Sequence, residues 1–97
     1  MSEITFEWNS RKASENKRKH GVSFEEAKSA FLDENARLIP DPENSDDEDR
    51  FILLGLSIQL RVLLVCHCYR ADDNVIRIIS ARKAARSERM QYAEYLP

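Results

Sequence analysis

Hydrophobic positions recur along this chain with two rhythms, and the changes of rhythm mark its elements. Ile4, Phe6 and Trp8 recur at period two, which predicts a short strand over 5–8. Asn9 or Ser10 can cap a following helix, and Gly21 suits a left-handed stop, so a helix is predicted over about 10–20. From Arg11 to His20 only Ala13 is apolar, so this helix is expected to cross a surface or present a polar face to a partner. Ser23-Phe24-Glu25-Glu26 has the form of a capping box, and Phe24, Ala27 and Phe31 follow it as a helical core stripe. Ala36 to Ile39 reads as a short strand, stopped by Pro40 and Pro42. Residues 41–49 contain no apolar residue except proline and are predicted to form an exposed acidic loop.

Three strands are predicted next, over 51–56, 61–69 and 75–80, with turns at 57–60 and 72–74. The near-continuous apolar run of 61–69 suits a central strand. A closing helix is expected over about 84–95, with Ala85, Tyr92 and Tyr95 or Leu96 facing inward. Helices segregated from a hairpin-rich sheet indicate an α+β fold, and 97 residues without repeats or linkers indicate one domain. Trp8, Phe24, Phe31, Leu64 and Ile78 are the expected core.

Charge changes this picture more than composition does. The chain has a formal net charge of −2 and a pI near 5.7. Residues 33–49 hold eight Asp/Glu against one Lys/Arg, whereas residues 50–97 hold eight Lys/Arg against four Asp/Glu. Seven of those eight cations are arginine, the side chain suited to bidentate contact with phosphate or carboxylate. The longest apolar stretch, Phe51 to Tyr69, is broken by Ser57, Gln59 and Arg61, so no membrane span is expected. Met-Ser-Glu-Ile at the start lacks the form of a secretion signal, which points to the cytoplasm.

Cys66-His67-Cys68 invites a metal reading, but alternation in a strand puts His67 with Tyr69 on the face opposite both cysteines. No metal site and no disulfide are expected there. His20 and His67 are of the side-chain type that titrates near neutrality, so either can serve in acid–base chemistry. Each also has a structural reading, His20 at a helix C-terminus and His67 as a satisfied sheet histidine. Alternation places Arg77 and Ile79 on one strand face, with Ile76, Ile78 and Ser80 on the other. Should the last helix begin early, Arg82, Arg86 and Arg89 share one side of it. With Arg70 at the neighbouring strand end, these arginines could converge on a polyanion.

From Phe6 to about Tyr95 these residues resemble the BrnT family, the ribonuclease toxins of BrnT–BrnA type II toxin–antitoxin systems. The resemblance is carried by FEWN at 6–9, Asn16 to His20, KHGVSFEEA at 19–27, IPDP at 39–42 and Arg50-Phe51. It is carried most of all by IRIISARKA at 76–84, with Ser87-Glu88-Arg89 and Tyr92 after it. It implies a RelE-like fold, a curved antiparallel sheet with two N-terminal helices packed on it and a C-terminal helix. It further implies endonucleolytic RNA cleavage without a metal or other cofactor. Such chemistry needs a base for the ribose 2′-OH, cations for the phosphorane and an acid for the leaving oxygen. His67, Arg77, Arg82, Glu88 and His20 are the candidate catalytic residues, and Arg50, Arg70, Arg86, Lys19 and Tyr92 the candidate RNA contacts. The implied partner is a BrnA-like ribbon-helix-helix antitoxin, through which alone operator DNA is bound. The alternative is a non-catalytic nucleic-acid- or antitoxin-binding module.

Overall fold

The Asn9 side chain accepts the Lys12 backbone N–H at 3.0 Å and so starts helix α1, Ser10–His20; Gly21, at φ 70°, ends it. In this computed structural model residues 3–41, 50–94 and 96–97 are described. The remaining elements are β1 (Thr5–Glu7), α2 (Phe24–Ala30), β2 (Arg37–Pro40), β3 (Arg50–Leu56), β4 (Val62–Arg70), β5 (Val75–Lys83) and α3 (Arg86–Glu94). Among the described residues they form one five-stranded sheet in the order β1-β5-β4-β3-β2, and the class is α+β as expected. No described helix is long and apolar enough to cross a membrane.

The sheet is mixed rather than antiparallel. β2, β3, β4 and β5 pair antiparallel in succession, but β1 runs parallel to β5, with Glu7 opposite Arg77. A hairpin forces antiparallel pairing; β1 and β5 are joined instead through two helices and three strands, which leaves their direction free.

Phe24, Ala27 and Ala30 of α2 pack with Leu53, Leu63, Val65, Ile78 and Ala81 in the main core. Phe24 and Ile78 are buried, while Trp8, Phe31 and Leu64 are only partly so. Residues of the opposite parity, Leu54, Leu56, Val62 and Leu64, pack with Tyr92 of α3 and with Ala84. The two clusters therefore lie on opposite faces of the sheet. Tyr92 is fastened by a hydrogen bond from its hydroxyl to Asp33. In α3, Tyr92 is the buried position, whereas Ala85 and Leu96 are exposed, contrary to expectation; Tyr95 lies outside the described residues.

Other expectations also need correction. Only half of the capping box forms. Ser23 Oγ accepts the Glu26 N–H at 3.0 Å, but the Glu26 carboxylate turns inward to Ser57 and Arg61. Asp41 is buried rather than exposed, its N–H donating to Arg50 O at 2.9 Å; the rest of the acidic segment, 42–49, lies outside the described residues. β5 continues to Lys83 instead of stopping at Ser80, so Arg82 is a strand residue and cannot share a helical row with Arg86 and Arg89. Pairing of Ala81 with Val65 and of Arg82 with Leu64 overrides the intrinsic helical preference of Ala81 to Ala85. Within β5, Ser80 pairs with Cys66 and Ile78 with His67, which leaves Ile79 as a bulge. The bulge reverses the alternation, so Ser80 lies on the face opposite Ile78.

At Gly55, β3 passes close to the end of α2. A Cβ there would stand 2.9 Å from the backbone oxygen of Ala30. Gly55→Ala is expected to cost about 1–3 kcal/mol, the usual cost of overpacking. Thermal denaturation checks this, and an unchanged Tm would contradict it.

Candidate nucleic-acid cleft

On the sheet face away from α2, alternation brings Arg50 of β3, Arg70 of β4 and Arg77 and Arg82 of β5 to a common side. A cleft of about 230 Å³ opens on this face. Ile52, Leu64 and Cys66 line it together with Ser80 and Arg82, while Arg50 contributes from the start of β3, Asp41 from just past the end of β2 and His20 from the last turn of α1. A neighbouring groove shares His20, Ile79 and Ser80 with the cleft and runs on past Lys12 and Lys19. Three of the candidate residues, His20, Arg50 and Arg82, thus meet in one place, and Lys19 lies on its extension.

Arg82 is held in a fixed plane. Its two terminal nitrogens donate to the two oxygens of Glu88, each at 2.9 Å. One Glu88 oxygen also accepts the Ala85 N–H at 2.7 Å, which secures the entry into α3. The hydrogen bonds from Arg82 hold the Glu88 carboxyl below the usual carboxylate range, against the effect of burial. Glu88 is therefore a carboxylate with both oxygens engaged, suited to orienting Arg82 rather than to transferring a proton. Guanidinium carries five N–H donors, so the pair with Glu88 leaves Arg82 others for an anion.

Arg77 and Arg70 sit apart from this arrangement. Arg77 Nη1 donates to Glu7 at 2.8 Å, and Arg70 Nε lies 3.8 Å from the same carboxylate oxygen. The mid-strand guanidinium of Arg77 meets its anion within the protein, across the β1–β5 pairing. Arg86 opens α3 on an exposed position. Arg89 donates to Ala84 O at 2.9 Å rather than pairing with a nearby glutamate.

His67 is fully buried, on the face opposite Cys66. Its ring stands edge-on to Phe31 at 4.8 Å and to Tyr69 at 5.3 Å. Nδ1 lies 3.0 Å from the Val65 carbonyl, which can only accept, so Nδ1 carries the proton and Nε2 accepts from the Tyr69 hydroxyl at 3.3 Å. Burial lowers its pKa, with the Val65 hydrogen bond acting the other way, and the ring is a neutral core group out of reach of RNA. Tyr92 is equally a packing residue. Burial and the hydrogen bond to Asp33 push its phenol up to about 12. Burial pushes the Asp33 carboxyl up, but donors from Tyr92, Leu56 and Asn35 outweigh this and hold it low.

Cys66 faces the cleft, and its thiol donates to Asp41 at 3.8 Å. Burial pushes this thiol up and the Asp41 charge adds to the effect, so it remains a thiol rather than a nucleophilic thiolate. Among the described residues no three His, Cys, Asp or Glu side chains are grouped as a metal site requires.

Asn16 is a residue that the sequence reading did not single out. It is the buried residue of α1, and its carboxamide bonds to Ala81, next to Arg82. A faint signal exists. Ala13, Asn16 and His20 fall at i, i+3 and i+7 and share one narrow face of an otherwise charged helix.

The comparisons agree on what the chain is similar to. A family model described as the ribonuclease toxin BrnT of type II toxin–antitoxin systems matches residues 8–88, a span that includes every group lining the cleft. Among solved structures, the 1.1 Å crystal structure of the ribonuclease toxin BrnT of Brucella abortus superposes with a TM-score of 0.66. That match is 20% identical and covers 86% of this chain and 99% of the Brucella chain, a likeness of fold. No curated protein matches significantly. With most of its length matched by the family model, this chain belongs to the BrnT family of ribonuclease toxins of type II toxin–antitoxin systems.

Proposed function

We propose that this toxin is a single-domain, RelE-like endoribonuclease that cuts RNA in the cleft bounded by His20, Arg50 and Arg82, without a metal. The observation that carries the reading is the meeting of an exposed imidazole with strand-borne guanidinium groups on an arginine-rich sheet face. In the proposed reaction His20 takes the proton of a ribose 2′-OH. The 2′-oxygen bonds to phosphorus, the bond from phosphorus to the 5′-oxygen breaks, and the leaving 5′-oxygen takes a proton from water; the products are a 2′,3′-cyclic phosphate and a 5′-hydroxyl, and His20 then releases its proton to solvent. Arg82, oriented by Glu88, and Arg50 hold the charge that accumulates on the phosphorane oxygens. Lys19 and the adjoining groove carry the flanking backbone, while Arg70 and Arg77, shared with Glu7, contribute to the surface field. In the cytoplasm a BrnA-like ribbon-helix-helix antitoxin covers the cleft and supplies the contacts to operator DNA.

The test is incubation of the purified chain, freed of its partner, with RNA in EDTA. Cleavage leaving 2′,3′-cyclic phosphate ends supports the reading. RNA binding without cleavage would favour the binding-module alternative. Cys66→Ser is expected to leave the rate unchanged, since the thiol takes no part.

A further inference from the structure

α1 has almost nothing apolar with which to hold its place. Ala13 is its one aliphatic residue, and its other side chains are long, charged or small and polar. Burial of a single methyl group contributes only about 0.8 kcal/mol, too little to fix the rotation and height of an 11-residue helix on a sheet. Asn16 supplies what packing does not. The residue is 6% exposed, and its Nδ2 donates to Ala81 O at 2.8 Å and to Val22 O at 2.9 Å. Its Oδ1 accepts from Ala81 N at 3.1 Å. One carboxamide thus satisfies both backbone groups of Ala81, as a neighbouring strand would. It does so beyond the reach of β1, which pairs with Val75, Ile76 and Arg77 only.

The position of this clamp matters more than its strength. Arg82 follows Ala81 in β5 and points to the cleft. His20 follows Asn16 by one helical turn and lines the same cleft. Each cleft group is one step from an end of the same side-chain hydrogen bonds, and those ends lie 65 residues apart in sequence. We propose that Asn16 is a positioning residue for RNA cleavage, setting the His20-bearing turn of α1 against the Arg82-bearing segment of β5. The proposal rests on the assignment of the cleft made above, and the experiment separates the two.

Cleavage kinetics are measured with the full chain, freed of its partner, well below the melting temperature of every variant. Asn16→Ala is expected to lower kcat about 10²-fold, the usual effect of misplacing reacting groups by an ångström, with KM changed less than about threefold. In a His20→Ala background the same substitution is expected to lower kcat by less than about threefold, because the geometry it protects is already gone. A purely structural role would not give that loss of additivity. Should Asn16→Ala not fold, Asn16→Asp, which keeps an acceptor for Ala81 N–H, takes its place in both backgrounds. A wild-type kcat for the Asn16 variant, or losses that multiply in full, would overturn the positioning role alone. Wild-type rates for both His20→Ala and Arg82→Ala would overturn the cleft assignment and the positioning role with it.

Discussion

Replacing His20 by alanine is expected to lower the rate of RNA cleavage about 10²–10⁴-fold, the range typical of a lost general base. The fold should survive, because His20 is exposed in the last turn of α1, where the helix ends at Gly21 through the Gly21 N–H to Lys17 O bond at 2.8 Å. Surface substitutions of this kind change stability by about 0.5 kcal/mol or less. His67→Ala should behave in the opposite way. It empties a site enclosed by Phe31, Phe51 and Tyr69 and leaves Val65 O without its donor, so it lowers stability. Circular dichroism and thermal melting beside the rate assay distinguish the two effects. A stable His67→Ala chain that has lost cleavage, beside an active His20→Ala chain, would transfer the acid–base role back to the buried ring.

Arg61→Ala is expected to have the largest effect on stability, at the lower end of the roughly 3–5 kcal/mol seen when one partner of a buried ion pair is removed. The Glu26 carboxylate is 2% exposed and the Arg61 side chain 30% exposed, which is why the lower end applies. Arg61 Nε donates to Glu26 at 2.9 Å, a second nitrogen donates to the other carboxylate oxygen, and the same group reaches Gly21 O at 3.0 Å. Without Arg61, the buried Glu26 carboxylate keeps the hydrogen bond from Ser57 Oγ, at 2.7 Å, and the more distant charge of Lys83. At roughly 4–8 °C per kcal/mol for a chain of this size, the fall in Tm is large.

The pH dependence of Arg61→Ala has a definite sign. In the wild type, hydrogen bonds from Arg61 hold the Glu26 carboxyl below the usual carboxylate range, against the opposing effect of burial. A carboxyl lowered on folding stabilises above its unfolded pKa, and that stabilisation is lost as pH falls through the folded value. In the variant the lowering by Arg61 is gone, while burial still acts upward against Ser57 and Lys83, so the folded-state carboxyl lies higher than in the wild type and the variant regains relative stability as Glu26 is protonated. The gap between wild type and variant should therefore be widest near pH 7 and narrow toward pH 4. Urea unfolding at both pH values measures it, and an equal gap at both would contradict the ion-pair account.

Local pattern carried much of the architecture. Period-two alternation separates Cys66 from His67 and Tyr69, and the pairing of Phe51 with His67 across β3–β4 follows from a hairpin whose turn is visible at 57–60. What the pattern could not convey came from contacts distant in sequence. That Arg77 is neutralised depends on Glu7 being its register partner, a fact set by the β1–β5 pairing across 70 residues. That Ser80 and Arg82 share the cleft face depends on the Ile79 bulge, which a strict alternation rule reads the wrong way. The polar character of α1 was plain in the sequence, but the reason it can pack at all, the Asn16 carboxamide on Ala81, was not. The turn after β4 is a related case. Ala71, Asp72 and Asp73 all adopt positive φ without a glycine, which local propensity argues against for alanine.

The most direct test of the central claim compares Arg82→Ala with Arg77→Ala on one RNA under identical conditions. Both residues are strand-borne arginines on the same sheet face, but Arg82 lines the cleft whereas Arg77 is engaged by Glu7. Arg82→Ala is expected to lose about 10²–10³ in cleavage rate, as when one transition-state donor is removed. Arg77→Ala should lose less than about tenfold, because Arg77 lines neither the cleft nor its adjoining groove and acts only through the surface field. A fully active Arg82→Ala chain beside an inactive, folded Arg77→Ala chain would contradict the account and place cleavage at the β1 edge of the sheet.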